Sequence, residues 1–501
     1  MLIFDFLMNV EKLLRDIGQS VRDWGGLGGW RGIFWGELFR RSTIFTTFVV
    51  RMEMVYQYMW KHRMLGRNLS DVDGRPIEVL WAGRHNTDAG PDFEGARLRI
   101  DGRQWAGNVE VHVRASDWHR HGHDADPAYS NVILHVVGQS DCRIPGADGS
   151  PIPQVVARCR ESFFRMYARL AERIGDYPCT EYLSHVPEPV LADWIATLGV
   201  ERMQMKARRV ADTLSAFSGD WERTCFVTLA RALGFGLNAE PFEIMARSLP
   251  PNILSHHSDH PLQLQAFIFG QAGMLNSSLH IFDEYYQQLC REYYFLTRKY
   301  GLRPMRGDMW KYSRTRPQNF PHRRLAILAA ACEGGFSLLG HLLDRRRDPA
   351  SIRELFDWQL SGYWLTHSGF DTEQRPNPAA LSEASRSLLI INFAAPVLYA
   401  YGASRGDCDI SECGIDLWEA LPPENNAVVR RWLQAGIRQR SAFCSQALLQ
   451  LSREYCEKGR CLECRIGHCL LRQNAAPGAE PFLSPEFNPS DTTLSSHHIA
   501  Q

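Results

Sequence analysis

The hydrophobic period changes once along the chain, and that change limits the fold to the α+β class. After one helical stretch around Met54, Val55, Tyr58 and Met59, short β-branched runs occupy 77–80, 96–100, 108–113 and 131–137. Runs of that length, bounded by turn residues, are strands. Asp73-Gly74, Asp101-Gly102 and Gly149 separate them, and Asp101-Gly102-Arg103 predicts a hairpin pairing 98–100 with 109–113. The run 131–137 is apolar almost throughout, as a strand covered on both faces must be. Beyond about Glu161 the spacing becomes helical: Leu191, Trp194, Ile195, Leu198 and Met203 form one stripe, and others lie within 226–233, 262–274, 325–343 and 428–451. Proline breaks at Pro250-Pro251, Pro349 and Pro422-Pro423 punctuate this half, without a fixed-period repeat. The expected architecture is a small mixed β-sheet core over 52–160, followed by a large mainly α-helical region over 161–472.

The 501 residues correspond to about two to four domains. Lys+Arg 56 balance Asp+Glu 56, so attraction of the whole protein to polyanions is excluded and any nucleic-acid surface must be a local patch. Thirteen cysteines are too sparse for a disulfide scaffold and cluster near one end, which points to a reducing, cytoplasmic location. No run of about 18 uncharged apolar residues suggests a membrane span. Residues 1–51 are rich in Trp, Phe and Ile, but Arg31, Glu37, Arg40 and Arg41 interrupt them and no small-residue cleavage site follows. They read as an atypical extension, either an amphipathic helix or sequence upstream of a native start at Met52 or Met54. Residues 473–501, poor in apolar side chains, read as a disordered tail.

The densest chemistry lies in Asn86-Thr-Asp88-Ala-Gly-Pro-Asp92-Phe and Gly107-Asn-Val-Glu110-Val-His112-Val. Asp92 opens one strand and Glu110 lies inside the next, so antiparallel pairing can bring two carboxylates to one place, where oxygen ligands suit Mg²⁺ or Mn²⁺. Residues two apart on a strand share a face, which puts His112 beside Glu110. A purely structural alternative has Asp92 capping a turn and Glu110 pairing with Arg114. Asp117-Trp-His119-Arg-His121-Gly-His123-Asp124-Ala-Asp126 follows, and Trp118 and Tyr129 suggest that this segment is anchored. His112, His119, His121 or His123 with a carboxylate offers a rival, histidine-held transition-metal site. The carboxylate-held ion ranks above it, because no recognised histidine spacing is present. His135, inside an apolar strand, reads as a core histidine.

Two other segments carry chemistry. Cys456-x4-Cys461-x2-Cys464-x4-Cys469 places four thiols in one short stretch with Gly459 and Gly467 between them, a pattern for Zn²⁺ or a [4Fe–4S] cluster. His468 is a substitute for Cys469, and Cys179 is the one distant cysteine suited to complete such a set. Between Arg303 and Arg324 the charges are nearly all positive, and Arg306, Trp310, Lys311, Arg314 and Arg316 offer phosphate-binding forks beside an aromatic face. The alternative is that these arginines pair with acids of neighbouring helices.

The acid-opened strand and the Glu110-x-His112 pair resemble the PD-(D/E)xK nuclease superfamily, in which an Asp, a Glu and a Lys hold a divalent ion for phosphodiester hydrolysis. The resemblance implies Asp92 and Glu110 as metal ligands, Glu53 as a helical acid, and His112 in the Lys position. Over a longer span the chain resembles the bacterial family called domain of unknown function 2851. Tyr58-Met-Trp60-Lys61, Asp88-Ala-Gly-Pro-Asp92-Phe, Asp117-Trp118, Arg316-Pro-Gln-Asn-Phe-Pro321, Ser445-Gln446 and Cys456 through Gly467 carry that likeness. The expected function is metal-dependent hydrolysis of DNA or RNA. A non-catalytic binding or scaffold protein retaining a nuclease-like fold is the alternative, and the sequence specifies no protein partner.

Overall fold

The structure is a computed structural model describing residues 52–66, 68–158, 160–172, 177–275, 281, 283–313, 315–374, 376 and 378–475. The expectations for 1–51 and most of the C-terminal tail lie outside the described residues. Two compact units divide the chain after Tyr167 and again after Leu470. The described part of the first is 52–167 with 471–475, and the second is 168–470.

In the first unit, helix α1 (52–61) precedes strands β1 (Leu69–Ser70), β2 (Pro76–Trp81), β3 (Arg84–His85), β4 (Phe93–Ile100) and β5 (Arg103–Arg114). A short helix, α2 (Asp117–Arg120), two 3₁₀ turns, and strands β6 (Val132–Gln139) and β7 (Gln154–Val156) follow, before helix α3 (Glu161–Glu172). One seven-stranded sheet runs β1-β2-β4-β5-β6-β7, with β3 paired to β4. Asp101 and Gly102, at φ 48° and 77°, make the two-residue turn that right-handed strand twist favours, so Ile100 pairs with Arg103. The second hairpin strand therefore begins six residues earlier than the apolar pattern suggests: Leu98 faces Trp105, not the 109–113 run. A register shift between Phe93 and Ala96 then sets Phe93 opposite Val109.

β5 and β6 run parallel, with Val109 opposite Leu134 and Val111 opposite Val136. Parallel neighbours need a crossover, and here 115–131 supplies it. Trp118, only 3% exposed, packs with Val132, Ile144 and Ile152, and its ring meets Tyr129 edge-on at 5.7 Å. That anchor holds the polar crossover against the sheet.

The second unit is helical: α4 (Glu188–Ala216), α5 (Trp221–Leu233), α6 (Pro261–Gln271), α7 (Pro321–Ala330), α8 (Glu383–Arg405), α9 (Cys408–Ala420) and α10 (Ala442–Gln450) form its main body. On α4 the buried residues Trp194, Leu198, Arg202, Met203, Ala207 and Val210 follow one stripe. The core gathers Phe226, Leu229, Phe267, Phe269, Leu325, Leu328, Phe393 and Trp418. Helix α8 is long and apolar enough to cross a membrane by length and composition, yet 61% of its apolar window is buried inside the fold. Its apolar character matches that burial: Ile390, Phe393 and Leu398 are fully covered. Two π-helical turns interrupt this unit, Ile390–Ala394 within α8 and Leu451–Cys456 after α10.

Candidate metal centre

The β4–β5 register carries Asp92 to Glu110. The Asp92 amide donates to Glu110 Oε2 at 3.0 Å, and the Val111 amide donates to Asp92 Oδ2 at 3.1 Å. Gln57 on α1 donates its side-chain N–H to Asp92 Oδ1 at 2.8 Å. One oxygen of each carboxylate is thus held by backbone, which fixes where the other points. Glu53, one turn before Gln57, is electrostatically coupled to Asp92, Glu110 and Asp117. Of the residues singled out, Asp92 contacts Glu110 and Glu110 contacts His112, and Glu53 on α1 lies within electrostatic reach of Asp92 and Glu110.

The crossover adds imidazoles to them. His112 Nε2 lies 3.1 Å from His121 Nδ1 and 3.5 Å from Glu110 Oε1, and His123 Nε2 lies 3.4 Å from the same oxygen. Ligand atoms of His112, His121 and His123 all fall within 4.8 Å of one another. A tetrahedral ion with nitrogen and oxygen ligands has edges of roughly 3.3 Å, and the three separations bracket that length. His123 is stacked on Tyr129 at 3.8 Å between centroids, and its buried Nε2 has no hydrogen-bond partner. His119 stands apart, exposed and paired with Asp124 at 2.7 Å.

His135 is a hydrogen-bonded core histidine, as its apolar strand suggests. It lies opposite Glu110 across the parallel pair, is fully buried, and holds its Nε2 2.8 Å from His112 Nδ1. That contact orients the His112 ring so that its Nε2 faces His121 and Glu110. Its signal in the sequence is positional, a histidine facing Glu110 from the neighbouring strand.

Burial dominates the electrostatics of these groups. Burial pushes Glu110 up to about 8. Burial and the Glu110 charge raise Asp92 to about 7, and burial with the Asp92 and Glu110 charges raises Glu53 to about 7. Burial, with neighbouring His135, His121 and His123, drives His112 far below the ordinary imidazole range. Desolvation likewise lowers His121, His123 and His135. Neutral imidazoles are the metal-binding form, and His112 is unfit to act as the charged Lys whose position it takes. Arg120, 56% exposed, pairs with Asp117 at 2.9 Å and reaches His121 Nε2 at 3.4 Å, leaving a guanidinium beside the solvent-facing side.

The basic stretch does not form a continuous track. Trp310 is buried, donates its indole N–H to the Ala272 carbonyl at 2.8 Å and packs edge-on against Phe242 at 5.1 Å. It is a core residue, which corrects its reading as a stacking face. Arg306 pairs with Asp308, Lys311 and Arg316 are exposed, and Arg314 lies outside the described residues. Arg323 and Arg324 are buried, with Arg323 donating to the Trp364 and Pro378 carbonyls.

Of the thiols, Cys456 lies within electrostatic reach of Cys179, Cys461 and Cys464, and Cys179 within reach of Cys461 and Cys464. Cys469 lies on helix α11 (Arg465–Ala475).

A family model described as "protein of unknown function (DUF2851)" matches residues 53–427. The matched span holds Glu53 through His135 and Cys179 and ends before Cys456. No curated protein and no solved structure matches significantly.

Proposed function

Because the chain belongs to the DUF2851 family, whose description names no chemistry, we propose from the site alone that the first unit is a metal-dependent phosphodiesterase acting on nucleic acid. One observation carries this reading: Asp92, Glu110, His112, His121 and His123 converge although they come from two strands and the crossover between them. Three imidazoles with a carboxylate favour a borderline transition ion such as Mn²⁺ or Zn²⁺ over Mg²⁺. Such an ion supplies Lewis acidity toward a phosphoryl oxygen and lowers the pKa of a bound water.

The residues divide the remaining work. His112, fully buried and in contact through both ring nitrogens, acts as a ligand and not as a proton carrier. Glu53 and Asp92, each near pKa 7 and incompletely buried, are poised to take a proton from an attacking water. Arg120 offers a phosphate contact at the exposed rim.

The test is cleavage of plasmid DNA, single-stranded DNA and RNA with Mn²⁺, Zn²⁺ or Mg²⁺. Activity with Mn²⁺ or Zn²⁺ that falls at least a hundredfold in Asp92→Ala and in Glu110→Ala supports the reading. Absence of metal-dependent cleavage of all three substrates overturns it and leaves a binding or scaffold role.

A further inference from the structure

Helix α7 starts with two buried arginines, and the second carries more donors than the fold satisfies. Side chains on a helix lean toward its N-terminus. Arg324, 4% exposed, leans back far enough for Nη2 to donate to Asn319 Oδ1 at 2.5 Å, five residues earlier. The same nitrogen donates to Ser385 Oγ at 3.2 Å, in the first turn of α8. Nε and Nη1 are buried without a hydrogen-bond partner. Among the described residues Arg324 makes no ion pair, and acids of the adjoining segments are engaged elsewhere: Asp308 with Arg306, Asp357 with Arg386 and Glu383 with Arg353.

A buried cation that lacks a counter-charge is costly. Burial and the neighbouring Arg323 lower Arg324 only to about 10, so its charge persists at neutral pH. Arg323, equally buried, spends its donors on the Trp364 and Pro378 carbonyls and adds a second positive charge within electrostatic reach. Phe320 offers α7 no side-chain cap, and the N–H end of a helix also favours an anion.

This place lies just beneath the surface. Phe235 covers it, with its ring centroid 4.3 Å from the guanidinium carbon. That residue is half-buried and held at φ 44° beside Gly236 at φ 85°, a left-handed conformation that an aromatic residue rarely adopts. Asn319, the acceptor of Nη2, is exposed. Two more cations belong to the bordering segments. Lys311 exchanges backbone hydrogen bonds of 2.9 and 2.8 Å with the side chain of Asn238, three residues beyond Phe235. The Arg316 carbonyl accepts the Asn319 amide at 2.7 Å. Both side chains are exposed.

These features select the charge and the shape of an occupant. Two buried guanidinium groups and a helix N-terminus call for more than one negative charge, and donors on separate nitrogens call for acceptors in more than one direction. A carboxylate has a single charge and two oxygens in one plane, whereas a phosphate dianion has two charges and at least three oxygens arranged tetrahedrally. We propose that Arg324, with Asn319, Ser385 and the first turn of α7, forms a binding site for one phosphate dianion, either free orthophosphate or the terminal group of a monoester, entering past Phe235. The ion supplies the acceptors that Nε and Nη1 lack, and Lys311 and Arg316 draw it in.

Thermal unfolding and calorimetric titration of the full chain test this, with orthophosphate, a nucleoside 5′-monophosphate and acetate each compared with chloride at equal ionic strength. Expected are a saturable rise in Tm and one bound ion per chain with orthophosphate or the monoester, and no rise with acetate. The tighter of the two phosphates identifies the source. Asn319→Asp, at an exposed position, places a carboxylate against Nη2. Without phosphate it should unfold at a higher temperature than the parent, and it should bind phosphate roughly tenfold or more weakly. Arg324→Lys should weaken binding by a similar factor. No saturable response of the parent to either phosphate, an equal response to acetate, or parental phosphate affinity in Asn319→Asp would overturn the assignment.

Discussion

In protein freed of divalent ions, the first unit's stability should depend on pH in a way that the buried carboxylates dictate. Glu110 rises from 4.5 to about 8, Asp92 from 3.8 to about 7 and Glu53 from 4.5 to about 7. An acid whose folded pKa is raised contributes stability below its unfolded pKa and loses it as pH climbs through the folded value. Near pH 7.5 the native state holds about one proton more than the unfolded chain, so metal-free stability should fall by roughly 1–2 kcal/mol per pH unit. The imidazoles act oppositely. His112, His121, His123 and His135 are all depressed, so their contribution is present above about 6.5 and lost as pH falls. The two limbs place the metal-free optimum near pH 6. Urea unfolding of chelator-treated protein across pH 5 to 9 measures the curve. Glu110→Gln should flatten the alkaline limb, and saturating Mn²⁺ should reverse it, because the ion binds the deprotonated form. A metal-free protein that gains stability from pH 6.5 to 8.5, or a Glu110→Gln variant with the parent's slope, refutes the reasoning.

Three further outcomes follow from named contacts. His123→Ala should weaken Zn²⁺ or Mn²⁺ binding in calorimetric titration at least tenfold, whereas His119→Ala, which removes only an exposed Asp124 partner, should leave it within twofold. His135→Leu removes the group that orients His112 and should cost about 10–100-fold in the same affinity without removing a ligand. In the second unit, Lys206 donates to Asn392 Oδ1 at 2.6 Å and is lowered to about 7 by burial and by Arg202. A depressed base loses stability as pH falls from its unfolded value, so the parent should gain roughly 4 kcal/mol between pH 7 and 10.5 from this group. Lys206→Met should lack that gain in denaturant titrations.

The α+β organisation was legible because hydrophobic period reports which faces are covered, and it switches near Glu161. The Asp101-Gly102 turn was legible from its conformational preference. Strand register was not: the shift between Phe93 and Ala96 has no compositional mark, yet it brings Asp92 to Glu110. The nearness of Asp92, Glu110 and His112 was readable from their spacing, whereas Glu53 was pointed to by the nuclease resemblance alone. The weight of the imidazoles was not legible, since His121 and His123 reach His112 only through a crossover whose path depends on Trp118 burying its ring. His135 was legible as a core residue from its apolar strand, but its partner, His112, was not. Trp310 shows the converse limit, since arginines around an indole look alike whether the ring faces solvent or, as here, Phe242. Cys179 is separated from Cys456, Cys461 and Cys464 by a long stretch of helices, so local spacing cannot reveal their electrostatic nearness.

His119, His121 and His123 alternate within one five-residue segment, while Glu110 and His112 join them only after β6 has docked beside β5. If the cluster holds a transition ion as proposed, the newly made chain offers that ion a crude chelate before the cluster is assembled. An ion captured there stabilises the unfolded ensemble as well as the native one, and it must be surrendered or remodelled as the sheet closes. Abundant zinc during renaturation should thus slow recovery of this unit, whereas the same ion supplied afterwards should secure it.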